Sequence, residues 1–248
     1  MNVNLRGPSR AELFAAALVE LDAELDWEGL GRLYCSEGGE HFFGPEDRAA
    51  WRESSLLFAG DVGEAVSHSR GGCAVYVGAA LAELAPVLCE SLVLERQVWP
   101  VNLPGPEADE IDRALRRVAA RLKVELPRMW TAPLHELPRG QCDHGWMVSV
   151  LTDPDAFPAL HDHLYDRHGA EATGCGDLDA ERRKAETLVH ALLDRLRIPA
   201  WLTTTDEELS IVERACHRRG WRLRVPRRAR LSPIVGDPVR LCELRAAA

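Results

Sequence analysis

The amino-acid sequence predicts an α/β protein with a mainly parallel sheet and helices on both of its faces. Residues 73–77 form a short apolar run after two glycines, which is typical of a fully buried strand. Helical spacing follows this run, and a second apolar run at 91–94 predicts the next strand. Strands and helices that alternate in this way form βαβ units, so the strands lie parallel and ligands bind beyond their carboxyl ends.

The composition is that of an ordinary folded protein. The chain has 248 residues, of which 46% are hydrophobic and 28% are charged, enough for a sizeable core in one or at most two domains. Acidic residues outnumber basic ones by 39 to 30, which gives a net charge of −9. Sequence-independent binding of nucleic acid needs a basic surface, so this balance argues against nucleic-acid partners.

The sequence also argues against a membrane partner and a disulfide framework. It contains no unbroken apolar stretch of the ~20 residues that span a bilayer, and its N-terminus has no hydrophobic signal core. We therefore expect a cytoplasmic protein. The seven cysteines are widely spaced and include no CxxC pair, which favours free and mostly buried thiols.

Residues 1–70 are predicted to form a helical cap that precedes the α/β part, residues 71–248. Ser9 and Glu12 have the spacing of a capping box, and a helical apolar stripe continues from there to Leu25. A short helix is predicted at 27–34, and another begins at Pro45 and runs to about residue 58.

The rest of the chain continues the alternation. Further strands are predicted at 129–134, 145–151 and 200–203, and helices at 111–122, 156–168 and 181–197. Thr205 and Glu208 form a second capping box, which begins a helix that ends at Gly220. Two more strands, at 221–225 and 239–244, close the chain.

Two residues suggest a ligand site at the ends of the first two predicted strands. Gly78 follows the first strand, where the absence of a side chain lets a ligand approach the backbone. Glu95 ends the predicted second strand, where a carboxylate can accept hydrogen bonds from two ribose hydroxyls. This is an adenosine site in outline; the alternative is a tight turn and a solvated strand end.

From about residue 71 to 244 the order of elements resembles that of the class I S-adenosylmethionine-dependent methyltransferases. The best-matching segments are 75–82, 92–95 and Gly220-Trp221. The resemblance implies a Rossmann-like sheet of seven strands with an antiparallel last strand, and N-terminal helices that cover the cofactor. It also implies S-adenosylmethionine as the cofactor, held by Val77, Gly78, Ala79, Ala80 and Glu95.

The glycine loop is degenerate relative to that family. Tyr76 stands where the family usually has an acid, and Ala80 and Ala82 stand where it has glycines. Two functions therefore stay open: a methyltransferase acting on a small molecule, and a non-catalytic relative that acts through partner binding or oligomerisation. A nicotinamide-dependent oxidoreductase would share the first two strands but would leave the terminal strand pair unexplained. The sequence does not indicate an oligomeric state.

Methyl transfer needs little acid–base chemistry, because the sulfonium is already activated, but a base would help with a hydroxyl or ammonium acceptor. Three residues at predicted strand ends are candidates for this catalytic role: Asp153, His135 and Glu136.

Two other clusters of polar residues could form a different binding site. Histidines, aspartates and a cysteine concentrate between residues 143 and 175, but without the spacing of a metal site, and a polar exposed helix explains them better. Seven arginines lie between 218 and 230. They suit either a phosphate or carboxylate of a ligand, or a solvated sheet edge that compensates nearby acids, and the second explanation is favoured.

Overall fold

The computed structural model describes residues 8–35, 37–68, 71–233 and 235–247. The α-helices in these ranges are α1 Arg10–Glu24, α2 Trp27–Tyr34, α3 Pro45–Val66, α4 Leu84–Leu88, α5 Pro106–Leu122, α6 Pro158–Leu164, α7 Leu178–Arg195 and α8 Asp206–Arg218. The strands are β1 Cys73–Val77, β2 Gln97–Val101, β3 Cys142–Met147, β4 Leu196–Thr205, β5 Trp221–Arg224, β6 Arg230–Leu231 and β7 Pro238–Ala246.

The strands form one seven-stranded sheet with the order β2-β1-β3-β4-β7-β5, and β6 pairs with β7. Neighbouring strands from β2 to β4 are parallel, whereas β7 is antiparallel to both β4 and β5. The mainly parallel seven-stranded sheet and its antiparallel last strand are therefore confirmed. Val77, Val101, Met147 and Thr205 end β1 to β4 on the same side, which we call the carboxyl edge.

Helices cover both faces because side chains along a strand alternate between them. In β1, Val75 packs in a core with residues of α7 and α8, such as Val189 and Val212. Its neighbour Tyr76 points to the other face and packs with Val62 of α3. The helix α7 thus lies opposite α3 across the sheet.

The N-terminal helices begin as the sequence predicts. The Ser9 hydroxyl accepts the Glu12 amide and the Glu12 carboxylate accepts the Ser9 amide, so the capping box at the start of α1 is confirmed. Leu21 of α1, Leu30 of α2 and Trp51 of α3 share a core with Leu115 of α5. The helix α3 continues eight residues past the predicted end at 58, to Val66, because Val62 and Val66 bury against the sheet.

The predicted second strand at 91–94 is wrong. These residues continue the preceding helix, the last part of which, Cys89–Val93, is a π-helical turn. Leu92 extends the buried stripe of Leu84 and Leu88, so the apolar run has helical spacing and packs as a helix. The strand is Gln97–Val101, which includes Pro100; a proline is tolerated there because β2 lies at the end of the strand order.

Two other predicted strands differ from those observed. The run 129–134 makes only a single parallel bridge, between Trp130 and Val101. The strand predicted at 145–151 is shifted to Cys142–Met147, and the chain turns at Ser149, which has a positive φ of 57°. The fifth strand and the terminal pair are confirmed, and β4 is longer than predicted.

The cysteine prediction is also confirmed. All seven cysteines are free, and Cys73, Cys89, Cys142, Cys216 and Cys242 are buried. Within the described ranges, no helix combines the length and the apolar character needed to cross a membrane.

A buried ionic cluster lies near the amino ends of β2 and β3, at the edge of the sheet opposite the carboxyl edge. The Glu90 carboxylate accepts hydrogen bonds from Tyr76 Oη at 2.6 Å and from Arg96 Nε at 2.7 Å, and it lies 2.6 Å from His144 Nδ1. Arg96 also pairs with Asp143. Burial disfavours the charge, but His144, Arg96 and Tyr76 together hold the pKa of Glu90 below its usual value.

We expect Arg96→Met to cost about 3–5 kcal/mol of unfolding free energy, because it leaves two carboxylates without their buried cation. The exposed pair Arg10–Glu95 provides a control, since the two side chains are 54% and 53% exposed. Arg10→Met should cost less than about 1 kcal/mol. Urea unfolding of both variants measures the difference, and equal losses would contradict this assignment.

Candidate functional site

The site begins where β1 reaches the carboxyl edge. Val77 ends the strand, and Gly78 follows with φ +72°, a conformation that favours glycine. Ala79 and Ala80 continue along the same edge, so the structure brings four of the five predicted cofactor residues together. Gly78 makes the turn that its position in the sequence predicts.

The amides of this loop bind to the protein itself. Ala79 N–H donates to the Val101 carbonyl at 2.9 Å, and Ala80 N–H donates to Glu83 Oε2 at 2.9 Å. Asn102, the first residue after β2, donates from Nδ2 to the Ala79 carbonyl at 3.0 Å. The ends of β1 and β2 are therefore joined through side-chain and backbone hydrogen bonds.

Two carboxylates lie beside this loop. Glu83 is buried, and its Oε1 accepts a hydrogen bond from Trp146 Nε1 at 3.2 Å. Glu107, in the first turn of α5, accepts from Asn102 Nδ2 at 3.2 Å and from the Tyr34 hydroxyl. Tyr34 ends α2, so the helical cap directly contacts the carboxyl edge.

Both carboxylates are held in an environment that disfavours their charge. Burial raises the pKa of Glu83 to about 7, and the nearby Glu107 adds to the shift. Burial also raises the pKa of Glu107, followed by a smaller contribution from Asp153. Neither is paired with an Arg, Lys or His side chain in the part of the chain that the structure describes. Such a site is complementary to a cation.

The Val150 side chain packs directly against Gly78. A Cβ added to Gly78 would lie only 2.5 Å from Val150 Cγ2, so that side chain fills the space directly over the glycine. The position of Val150 is set by Glu208, whose Oε1 accepts the amides of Val150 and Leu151 at 2.8 Å each. Glu208 also forms the predicted capping box with Thr205, so one buried residue begins α8 and positions this loop.

The predicted catalytic residues do not come together. Asp153 lies in the loop after β3, exposed and close enough to Glu107 and Tyr34 to raise the pKa of both. Its Oδ1 accepts the Asp155 amide at 2.8 Å in a local turn. Asp153 is the one catalytic candidate at the carboxyl edge.

His135 and Glu136 lie at the opposite side of the sheet, so their predicted position at the ligand-binding edge is wrong. They belong to a 3₁₀ turn, Leu134–Glu136, in the segment that leads into β3. The Leu134 and Leu137 carbonyls accept hydrogen bonds from Arg195, the residue before β4. The missing third strand explains the error, because the chain has already left the carboxyl edge after Trp130.

The predicted position of Glu95 is wrong for a similar reason. Glu95 precedes β2 instead of ending a strand, and it has a positive φ of 53°. Its exposed carboxylate pairs with Arg10. Gly78 and Glu95 therefore lie on opposite sides of the sheet, and Asn102 is the residue that follows the true second strand.

Sequence reasoning missed Tyr34, Glu83, Glu107 and Val150. A glutamate in the first turn after Pro106 signals only a helix start, which hides the role of Glu107. The position of Tyr34 depends on how the helical cap packs, and no local pattern reports that.

A search of solved structures relates this architecture to known proteins. A crystal structure of magnesium protoporphyrin IX methyltransferase from Synechocystis, with bound S-adenosylmethionine, aligns over 99% of this chain and 100% of that chain, with a TM-score of 0.53 and 11% identity. The chain has the class I methyltransferase fold.

Other methyltransferase structures align over smaller shares of the chain. Precorrin-6y C5,15-methyltransferase from Geobacter metallireducens covers 77% of this chain and 87% of its own, with 13% identity and a TM-score of 0.47. A S-adenosylmethionine-dependent methyltransferase from Aquifex aeolicus covers 77% and 90%, with 12% identity and a TM-score of 0.46. No protein-family model matches the sequence, and no curated protein matches it.

The raised pKa of Glu83 has a consequence for stability. A folded-state pKa of about 7, against 4.5 for the free group, means that the stabilising proton is lost as pH rises through about 7. We expect the unfolding free energy of Glu83→Gln, relative to wild type, to increase by about 2 kcal/mol between pH 5 and pH 8.

Urea unfolding at the two pH values measures this change, with the exposed Glu136→Gln as the matched control. A constant difference between Glu83→Gln and wild type at both pH values would contradict the burial argument.

Proposed function

We propose that the carboxyl edge binds S-adenosylmethionine and that the protein is a methyltransferase acting on a small molecule. The observation that carries this proposal is a pair of carboxylates beside Gly78 without a cation, of which Glu83 is buried and Glu107 is half-buried. S-adenosylmethionine carries a net positive charge because its sulfonium and ammonium outnumber its carboxylate. A buried anion gains most from a cation that enters the site without solvent.

The donors and acceptors of the edge fit this ligand chemically. Glu107 and Asn102 lie beyond β2, where the fold places groups that bind ribose hydroxyls. The bound cofactor would supply an activated methyl group on its sulfonium. The protein's own task is then to hold the acceptor in line with that methyl. Asp153 is the candidate to accept a proton from the acceptor.

The helical cap closes the edge through Tyr34. Its hydroxyl occupies one oxygen of Glu107, which a ribose hydroxyl would otherwise use. We propose that residues 1–70 act as a cover over the α/β part, and that this contact opens when the ligand enters.

A second candidate function is favoured by the loop itself. The Ala79 and Ala80 amides bind to the protein, and Val150 fills the space over Gly78. These contacts suit a non-catalytic protein that keeps the fold for binding a protein partner or for oligomerisation. The two candidates differ in one measurable property, which is affinity for the cofactor.

Isothermal titration with S-adenosylmethionine and S-adenosylhomocysteine tests the proposal, since the second ligand lacks the sulfonium charge. At pH 8 we expect S-adenosylmethionine to bind about tenfold more tightly, and Glu107→Gln to remove most of this preference. Glu95→Gln is the matched control on the other side of the sheet. If neither ligand binds at millimolar concentration, the methyltransferase proposal fails and the non-catalytic function is supported.

Tyr34→Phe tests the closing contact separately. Without the hydroxyl, Glu107 no longer has to exchange a protein hydrogen bond for a ligand one, so S-adenosylmethionine should bind several-fold more tightly. The same titration measures the change, and Tyr165→Phe is the control because it removes a hydroxyl that bonds to Asp237 and not to Glu107. An unchanged or weaker affinity in Tyr34→Phe would show that the tyrosine does not compete with the ligand.

A further inference from the structure

A second concave site lies on the face of the sheet that α3 covers, over β4 and β7 and not over the Gly78 loop. It is a groove of about 310 Å³ between α3 and the strands β4 and β7, and the segment before β6 forms its other wall. This volume lies at the lower end of the ~300–1,000 Å³ range typical of small-molecule sites. Gly78, Glu83 and Glu107 do not line it, so the argument that follows does not depend on the proposed cofactor site.

The interior of the groove is apolar and partly aromatic. Phe58 and Val62 of α3 form one wall, and Trp201 of β4 and Leu241 of β7 form the base. Trp201 is half-buried, so part of its ring faces the groove. An apolar base with an accessible indole ring suits a flat, apolar ligand, because aromatic rings stack favourably and bury a large area.

Four charged side chains line the groove: Asp61, Glu64, Arg228 and Arg230. Asp61 and Arg230 pair across it, with Arg230 Nη2 2.7 Å from Asp61 Oδ1, so their charges cancel. Glu64 and Arg228 are exposed. In the described ranges they form no ion pair, either with each other or with another residue. The groove therefore presents one unpaired anion on its α3 wall and one unpaired cation on its other wall.

We propose that this groove binds aromatic α-amino acids. The aromatic ring lies against Trp201, the ammonium group faces Glu64, and the carboxylate faces Arg228. A guanidinium matches the planar geometry of a carboxylate and can hold both of its oxygens. A ligand with a single charge would leave either Glu64 or Arg228 without its complement, so the pair selects a zwitterion over a simple aromatic acid or amine.

Isothermal titration of the full-length protein with L-phenylalanine tests this proposal. We expect saturable binding, about tenfold weaker in Arg228→Gln and in Glu64→Gln. Arg227→Gln is the matched control, because Arg227 is the exposed neighbour of Arg228 and does not line the groove. 3-Phenylpropionate and phenethylamine, which each lack one charge, should bind more weakly than L-phenylalanine.

A third variant blocks the groove without touching its charges. Ala65 lines the groove from the partly exposed side of α3, so Ala65→Phe should abolish L-phenylalanine binding while circular dichroism shows a folded protein. The proposal is overturned if wild type does not bind L-phenylalanine at millimolar concentration. It is also overturned if Arg227→Gln weakens binding as much as Arg228→Gln, or if 3-phenylpropionate binds as tightly as the amino acid.

Discussion

The buried contact between Arg96 and its two carboxylates, Glu90 and Asp143, is the interaction on which the rest of the sheet depends. Its members come from the π-helical turn, from the residue before β2 and from β3. Tyr76 of β1 and Thr203 of β4 reach the same cluster, the latter through His144 Nε2 at 3.0 Å. Ions without water are costly unless every one is paired, so the cluster favours an arrangement of these elements in which its charges meet.

This arrangement explains why Tyr76 and Gly72 stand where they do. Tyr76 donates its hydroxyl to Glu90, which an acid at that position could not do while ionised. Gly72 leaves room for the Arg96 guanidinium, which a Cβ at residue 72 would meet. The residue that departs from the methyltransferase pattern in β1 is therefore a structural part of this chain's own ionic cluster.

Buried carboxylates at the two ends of the parallel strands lie in opposite electrostatic environments. In the ionic cluster near the amino ends of the strands, Arg96 balances Glu90 and the pKa of Glu90 is lowered. At the carboxyl edge, Glu83 is buried without a cation and its pKa is raised to about 7. An unbalanced buried acid lowers stability at neutral pH, and such groups concentrate at functional sites. This contrast supports the proposal that the carboxyl edge holds a ligand.

Local signals in the sequence predicted the fold well and the site only in part. Capping boxes and the turn at Gly78 depend on residues within a few positions of each other, and they are confirmed. The run at 91–94 failed because a short apolar segment suits a buried strand and a buried helix equally, and only its packing with Leu84 and Leu88 decides. That single error moved Glu95 to the wrong side of the sheet. The pairing of Glu107 with Tyr34 joins residues far apart in the chain, which no local pattern could reveal.

The arginines near the C-terminal end show how pairing separates structural charges from charges available to a ligand. Arg218 pairs with Glu186, Arg219 with Asp194 and Arg224 with Glu243, as expected for a solvated edge that compensates nearby acids. Arg230 crosses to Asp61 and holds the segment before β6 against α3, which creates the groove. Arg222, Arg227 and Arg228 have no ion-pair partner within the described ranges, and of these three only Arg228 lines the groove. One sequence cluster thus contains both the arginine that joins the groove's two walls and the arginine proposed to bind its ligand.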